Sequence, residues 1–254
     1  MIRRPAPRFA IPIVVGGIAV VLLGGAGLAY LFFHPSPAAV GVATGPPGSS
    51  TSPTTDPEGS PTAGGSPAAA GSLAGTWNVD PSIGTFNYSA NDFSGSFVGY
   101  RIEEQLANIG ANTAVGRTPD VTGTLVVDGT SVTGVDISAD LSSLQSDDQR
   151  RDGQVRRLDL GTATFKLTSP IALATLPADG STVDATASGD LTIHGVTKRV
   201  EIPVQASRKG DVVTVTGSVP IVFADYDVTP PTSFIAVSVE DHGIIEFQLR
   251  FSHA

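Results

Sequence analysis

GDLTIHGVTKRVEIPV, residues 189–204, reads as two β-strands around a tight turn at His194, Gly195 and Val196. In the first strand Leu191 and Ile193 face one way, Asp190 and Thr192 the other. In the second, Val200, Ile202 and Val204 oppose Arg199 and Glu201. Alternation with period two marks a strand with one dry face and one wet face. The pattern recurs outward in both directions. Ala185, Ala187 and Gly189 extend the first dry face backward, and Ala206 extends the second forward. Val135, Ile137, Ala139 and Leu141 alternate with Asp136, Ser138 and Asp140; Ala163, Phe165 and Leu167 alternate with Thr164 and Lys166. Phe86 and Tyr88 alternate with Asn87 and Ser89. Toward the C-terminus come Val213, Val215, Gly217, Val219 and Ile221, then Ile245, Phe247, Leu249 and Phe251. Many short strands separated by Gly, Pro and Asp indicate an antiparallel barrel or sandwich. The helical crossovers of a parallel α/β fold are missing.

Two short helices are expected beside the strands. Ile102, Leu106 and Ile109 lie at helical spacing, with Gly110 placed to stop the helix. Ser146, followed by Asp147 and Asp148, suits a second helix N-terminus. Several dry-face residues are small: Ala139, Ala163, Ala185, Ala187, Gly189 and Gly217. A barrel of about eight strands is either just filled by its side chains or holds one small ligand. The pattern alone leaves a lumen and a packed core equally open.

The rest of the chain divides into three parts. Within residues 1–33, Phe9–Phe33 is apolar and uncharged, preceded by Arg3, Arg4 and Arg8, with no Lys or Arg afterwards until Arg101. About 20 such residues span a bilayer, and the arginines place the N-terminus in the cytoplasm and the remainder outside. A cleaved signal peptide has a shorter apolar run, so an uncleaved plasma-membrane anchor is expected. Residues 34–72, rich in Pro, Ser, Thr, Gly and Ala, are expected to form a disordered linker, with an end-to-end distance of roughly 35 Å. Residues 73–254 form the folded domain.

The composition excludes several functions. The chain has no cysteine, which removes disulfides and thiolate chemistry. The net charge of −9 disfavours nucleic acid, whose phosphates require a basic patch. His34, His194, His242 and His253 show no metal-ligand spacing. No GxSxG elbow and no phosphate-binding loop appear. No nucleophile, base and orienting group assemble, so neither catalysis nor a cofactor is expected. Arg150, Arg151, Arg156 and Arg157 cluster within an acidic domain, beside Asp147, Asp148, Asp152 and Asp159. They read either as surface ion pairs of little worth or as donors for an anionic head group.

As a string, residues 189–204 resemble the signature of the YceI-like family, bacterial lipid-binding proteins with a lipocalin-like β-barrel. Thr76–Ser89, TWNVDPSIGTFNYS, resembles the family's opening strand pair. Ser146–Asp152, SDDQRRD, with Gln154, Val155 and Arg156, resembles its arginine-bearing loop. Ala163–Leu167, ATFKL, and Phe223–Tyr226, FADY, resemble the strand after that loop and the late turn before the final strands. Together these cover most of Leu73–His253. Gly99–Thr118 resembles a longer variant associated with actinobacterial members.

The resemblance implies a lumen holding one long apolar molecule: a polyisoprenoid such as a menaquinone or polyprenyl phosphate, or a fatty-acid derivative. Phe86, Tyr88, Phe97, Tyr100, Phe165 and Phe223 are then the aromatics expected to line it, with Ala187 and Leu191 on its wall. Arg101 and Arg151 are the rim residues, Arg151 in a structural or head-group role. By analogy with lipocalin-like folds, Trp77 plugs or underlies the closed end. The rival expectations are a β-sandwich interaction module without a cavity, and an enzyme acting on a lipid or cell-wall intermediate.

Overall fold

A computed structural model describes residues 37–40, 73–106, 110–231 and 236–254. The expected membrane span lies outside the described residues, as does the expected linker apart from Pro37–Val40. No helix among the described residues is long and apolar enough to cross a membrane.

The strands run in the order β1 (Gly75–Val79), β2 (Phe97–Leu106), β3 (Gly110–Thr118), β4 (Val121–Asp128), β5 (Ser131–Asp140), β6 (Gln145–Ser146), β7 (Thr162–Leu167), β8 (Ile171–Ala172), β9 (Thr182–Ile193), β10 (Val196–Lys209), β11 (Val212–Val222), β12 (Ala236–Val239) and β13 (His242–His253). One α-helix, α1 (Gln149–Arg156), follows β6. Eight strands close a ring in the order β1-β4-β5-β7-β9-β10-β11-β13, and β13 returns to β1 through Trp77↔His253, Asn78↔Ser252 and Val79↔Phe251. All these pairings are antiparallel. The fold is therefore an all-β, eight-stranded antiparallel barrel. β13 divides one of its edges: its C-terminal part pairs with β1, while Ile244–Gln248 pair with β2. From β2 the sheet continues outward through β3 to β6, and β12 also pairs with β2.

Residues 189–204 belong to the β9–β10 hairpin. Its strands pair from Ile193↔Val196 back to Thr182↔Ser207. His194 and Gly195 have φ of 50° and 77°, the consecutive positive values that a two-residue type I′ turn requires. Val196 belongs to the second strand rather than to the turn.

Three local expectations are corrected. Ile102 and Leu106 lie in a strand, not a helix, and Gly110 opens the next strand; Ile109 is outside the described residues. The same segment also alternates: Val98, Tyr100 and Ile102 against Gly99, Arg101 and Glu103. Pairing on both edges, with β13 and β3, selects that period. Phe86 and Tyr88 do not form a strand. Residues 80–96 fold as turns with one isolated bridge, Asn87↔Asp92. The Asn87 side chain accepts the Ala90 N–H at 3.0 Å, a local bond that competes with strand pairing. The second helix begins later than expected. Ser146 is in β6, and Asp148 is the cap, accepting the Arg150 N–H at 2.8 Å.

Candidate functional site: the barrel lumen

The inward faces of the eight strands enclose a cavity of about 150 Å³. Roughly 10–15 Å³ holds one water, provided that water finds polar partners. Here it finds almost none. Of thirty lining residues, only Thr164 and Trp77 carry a polar side-chain atom. The Trp77 indole N–H is already donated to the Leu73 carbonyl at 2.9 Å. The site can exclude water and accept an apolar chain; it cannot assemble acid–base or nucleophilic chemistry.

The room comes from alanine. Ala139, Ala163, Ala185, Ala187 and Ala206 all stand on the cavity wall. The inward glycines behave differently from expectation. A Cβ on Gly189 would lie 2.4 Å from the Phe165 ring, and one on Gly217 would lie 2.4 Å from the Phe247 ring. Each glycine is thus already covered by an aromatic ring from the neighbouring strand. Each ring occupies the space that a side chain on the glycine would take. Trp77 also departs from expectation: it stands in the lumen wall, with its ring centroid 4.9 Å from that of His253.

The two ends of the barrel differ. At one end, the segment after β8 contributes Leu173, Leu176 and Pro177 to the cavity. It is tied down by Leu173 N–H to the Thr130 carbonyl (3.0 Å), Gly180 N–H to the Arg208 carbonyl (2.8 Å) and Gly210 N–H to Asp179 Oδ1 (2.6 Å). Inward residues near this end, including Val183, Ala185 and Ala206, are only half-buried. At the other end Leu141, Leu144, Val155, Ile193, Ile221, Phe223 and Tyr226 are buried in the core and do not line the cavity. Val155 of α1 helps to close that end.

Three of the ten residues singled out by sequence, Phe165, Ala187 and Leu191, line the cavity. Phe223 packs in the closed end. Phe86, Tyr88 and Phe97 form a cluster with Phe93, with ring centroids 4.7–6.2 Å apart. That cluster covers the outside of the wall: Glu246 and Gln248 alternate with the lumen-lining Ile245 and Phe247, and Gln248 donates outward to the Phe93 and Gly95 carbonyls at 3.0 and 2.8 Å. Tyr100 lies over Gly116, whose Cβ would meet its ring at 2.4 Å. Burial pushes the Tyr100 hydroxyl well above its usual range, and the same cause raises Tyr88.

Arg151 is held by Glu104 at 2.8 Å and by Asp147 at 2.5 Å. Burial works against its charge, but these two carboxylates outweigh it and raise its pKa. Its positive charge is thus already matched. Arg101 and Arg117 instead grip Glu246. Arg101 Nε lies 2.7 Å from Oε2, while Arg117 Nε and Nη2 lie 2.8 and 2.6 Å from Oε1. Sequence gave no sign of this cluster, because Glu246 is 145 positions from Arg101 and 129 from Arg117. Glu246 reads as an ordinary wet-face residue of its strand, yet it is 1 % exposed.

Glu240, Asp241 and His242 bring their ligand atoms within 4.8 Å of one another, but all three are exposed neighbours in sequence. The His242 imidazole is pushed up by its hydrogen bond to Asp241. An exposed acidic run of this kind does not make a built metal centre.

A family model described as "YceI-like domain" matches residues 77–251. No match is found among curated proteins. Among solved structures, BcnA of Burkholderia cenocepacia aligns with 21% identity and a TM-score of 0.49, covering 68% of this chain and 98% of that one. A polyisoprenoid binding domain from Saccharophagus degradans, implicated in plant cell wall breakdown, aligns with 16% identity and a TM-score of 0.47, covering 63% and 98%. The Campylobacter jejuni YceI protein aligns with 17% identity and a TM-score of 0.45, covering 59% and 88%.

Proposed function

Because the chain belongs to the YceI-like family, we propose that its barrel binds one long apolar lipid, a polyisoprenoid or an acyl chain, as a carrier, store or sensor. One observation carries this reading: a cavity of about 150 Å³ with an almost wholly apolar lining. Burying each CH₂ of a lipid tail contributes about 0.8 kcal/mol. A tail of ten carbons therefore gains roughly 8 kcal/mol, from which the cost of association is subtracted. Phe165, Ala187 and Leu191 contact the tail. The head group lies at the end bounded by Leu173, Leu176 and Pro177, since the opposite end is packed. Arg101 and Arg151 take the structural role, their charges being engaged by Glu246, Glu104 and Asp147.

Residues 9–33 anchor the protein in the plasma membrane with the barrel on the extracytoplasmic side. The reading is supported by the uncharged apolar run and by Arg3, Arg4 and Arg8 before it. Resistance of the full chain to alkaline extraction, with the barrel open to external protease, is the expected result.

The lumen is tested by Ala187→Phe. The added ring fills the wall position and lowers lipid occupancy while the barrel still folds. Unchanged occupancy in a folded variant would contradict a ligand at that strand.

A further inference from the structure

Outside the wall formed by β13, β2 and β3, the short segment Pro37–Val40 lies on the Arg101–Glu246–Arg117 cluster. Two guanidinium groups face one carboxylate, where Arg117 is 2 % and Glu246 1 % exposed. A buried charge cluster is tolerated only when its remaining donors and acceptors are also satisfied. Pro37–Val40 satisfies three of them. Arg101 Nη2 donates to the Pro37 carbonyl, Arg117 Nη2 donates to the Ala38 carbonyl at 2.7 Å, and the Val40 N–H donates to Glu246 Oε2 at 3.3 Å. All three contacts are to backbone groups. Carbonyls meet the cations and the N–H meets the anion, while Ala38 and Ala39 are exposed. The polar recognition is of backbone groups, with the Pro37 ring buried beside them.

The receptor side chains are also held by the barrel itself. The Arg117 guanidinium lies 4.6 Å from the Phe93 ring centroid and 4.3 Å from that of Phe97. Cation–π contact and two hydrogen bonds to Glu246 Oε1 hold its donors in place, so little side-chain freedom is lost on docking. Each of the three strands supplies one charged residue: Arg101 from β2, Arg117 from β3 and Glu246 from β13.

We propose that this cluster is a peptide-backbone receptor whose resident occupant is Pro37–Val40 of the same chain. The stretch following the N-terminal apolar run is then fastened to the barrel at once, instead of leading to it through a free tether. Residues 41–72 connect two points on one barrel.

The test is amide hydrogen exchange on the full chain in detergent. The Val40 amide is expected to exchange at least tenfold more slowly than amides of residues 41–72. Arg101→Gln removes the donor to Pro37 and leaves the Arg117–Glu246 pair intact; the protection at Val40 is expected to vanish while that of β9–β10 persists. Val40→Pro, which removes the N–H without touching the barrel, is expected to speed elastase cleavage at Ala38–Ala39 at least tenfold. Exchange at Val40 as fast as in residues 41–72 of the wild-type chain would overturn the proposal, as would full protection in folded Arg101→Gln or unchanged cleavage in Val40→Pro. Protection that rises with protein concentration would assign the site to a second copy's segment and overturn occupancy by the same chain.

Discussion

The same strands build a solid end and a hollow end. Near α1, Leu141, Leu144, Val155, Ile193, Ile221, Phe223 and Tyr226 meet in a packed core. Between that core and β8, inward positions of β5, β7, β9 and β10 carry Ala139, Ala163, Ala185, Ala187 and Ala206, and a cavity remains. Strand number and tilt do not decide whether an eight-stranded barrel is filled; the side chains at a few inward positions do. Cavities lower stability because their lining loses contacts. The hollow end is therefore the less stable half when empty and the half that a ligand stabilises.

The largest expected contrast comes from removing one ring at each end. Phe223→Ala, in the packed end, should cost about 3–5 kcal/mol, read as a fall in the denaturant midpoint. Phe165→Ala, on the half-buried cavity wall, should cost less and should increase the amount of lipid bound. Equal losses at the two sites would dissolve the distinction between the ends.

A smaller effect is expected at Gly189. A Cβ there would lie 2.4 Å from the Phe165 ring and 2.5 Å from the Lys166 carbonyl. Gly189→Ala should destabilise by about 1–3 kcal/mol and drive Phe165 into the lumen, reducing occupancy. Chemical denaturation with a co-purified lipid assay reads both.

Asp179→Ala removes the acceptor of the Gly210 N–H at the hollow end. The expected loss is about 1 kcal/mol or less. Amide exchange in residues 173–181 should speed up, as should uptake of a fluorescent acyl probe. Uptake unchanged in spite of faster exchange would place lipid access elsewhere.

The smallest effect concerns the packed end. Burial raises the Asp152 carboxyl above its ordinary value, against the opposing hydrogen bond from the Ser146 hydroxyl at 2.6 Å. The folded state then binds this proton more tightly than the unfolded chain. Stability from this group falls as pH rises from the unfolded value of about 3.9 through the raised one, and stays lower above it. Asp152→Asn should leave thermal stability at pH 7 equal to or above that of the wild type. The advantage should shrink as pH falls through that interval, as followed by melting temperature against pH.

The strands of the closed barrel were more legible in the sequence than the segments on its outside. The hairpin at residues 189–204 announces itself locally: alternation sets both faces, and the His194–Gly195 pair accepts the left-handed turn. Small inward residues at 139, 163, 185 and 187 pointed to available space. The glycines misled, because a missing side chain reads as room even where Phe165 or Phe247 lies across it. The β2–β3 region misled for another reason. Ile102 and Leu106 fit helical and extended periods alike, and only pairing with distant β13 separates the two. Phe86 and Tyr88 sit in a turn held by Asn87, so their alternation carries no face. The Glu246 cluster and the cover over it join residues far apart in the chain, and no local pattern encodes such contacts.

The central claim is that the hollow end holds a lipid. Native mass spectrometry of the full chain, purified from a bacterial host and released from detergent, tests it most directly, with organic extraction to identify any adduct. A stoichiometric adduct of isoprenoid or acyl mass, lost or reduced in Ala187→Phe, is the predicted result. A bare protein that also takes up no added menaquinone, polyprenyl phosphate or fatty acid would contradict it.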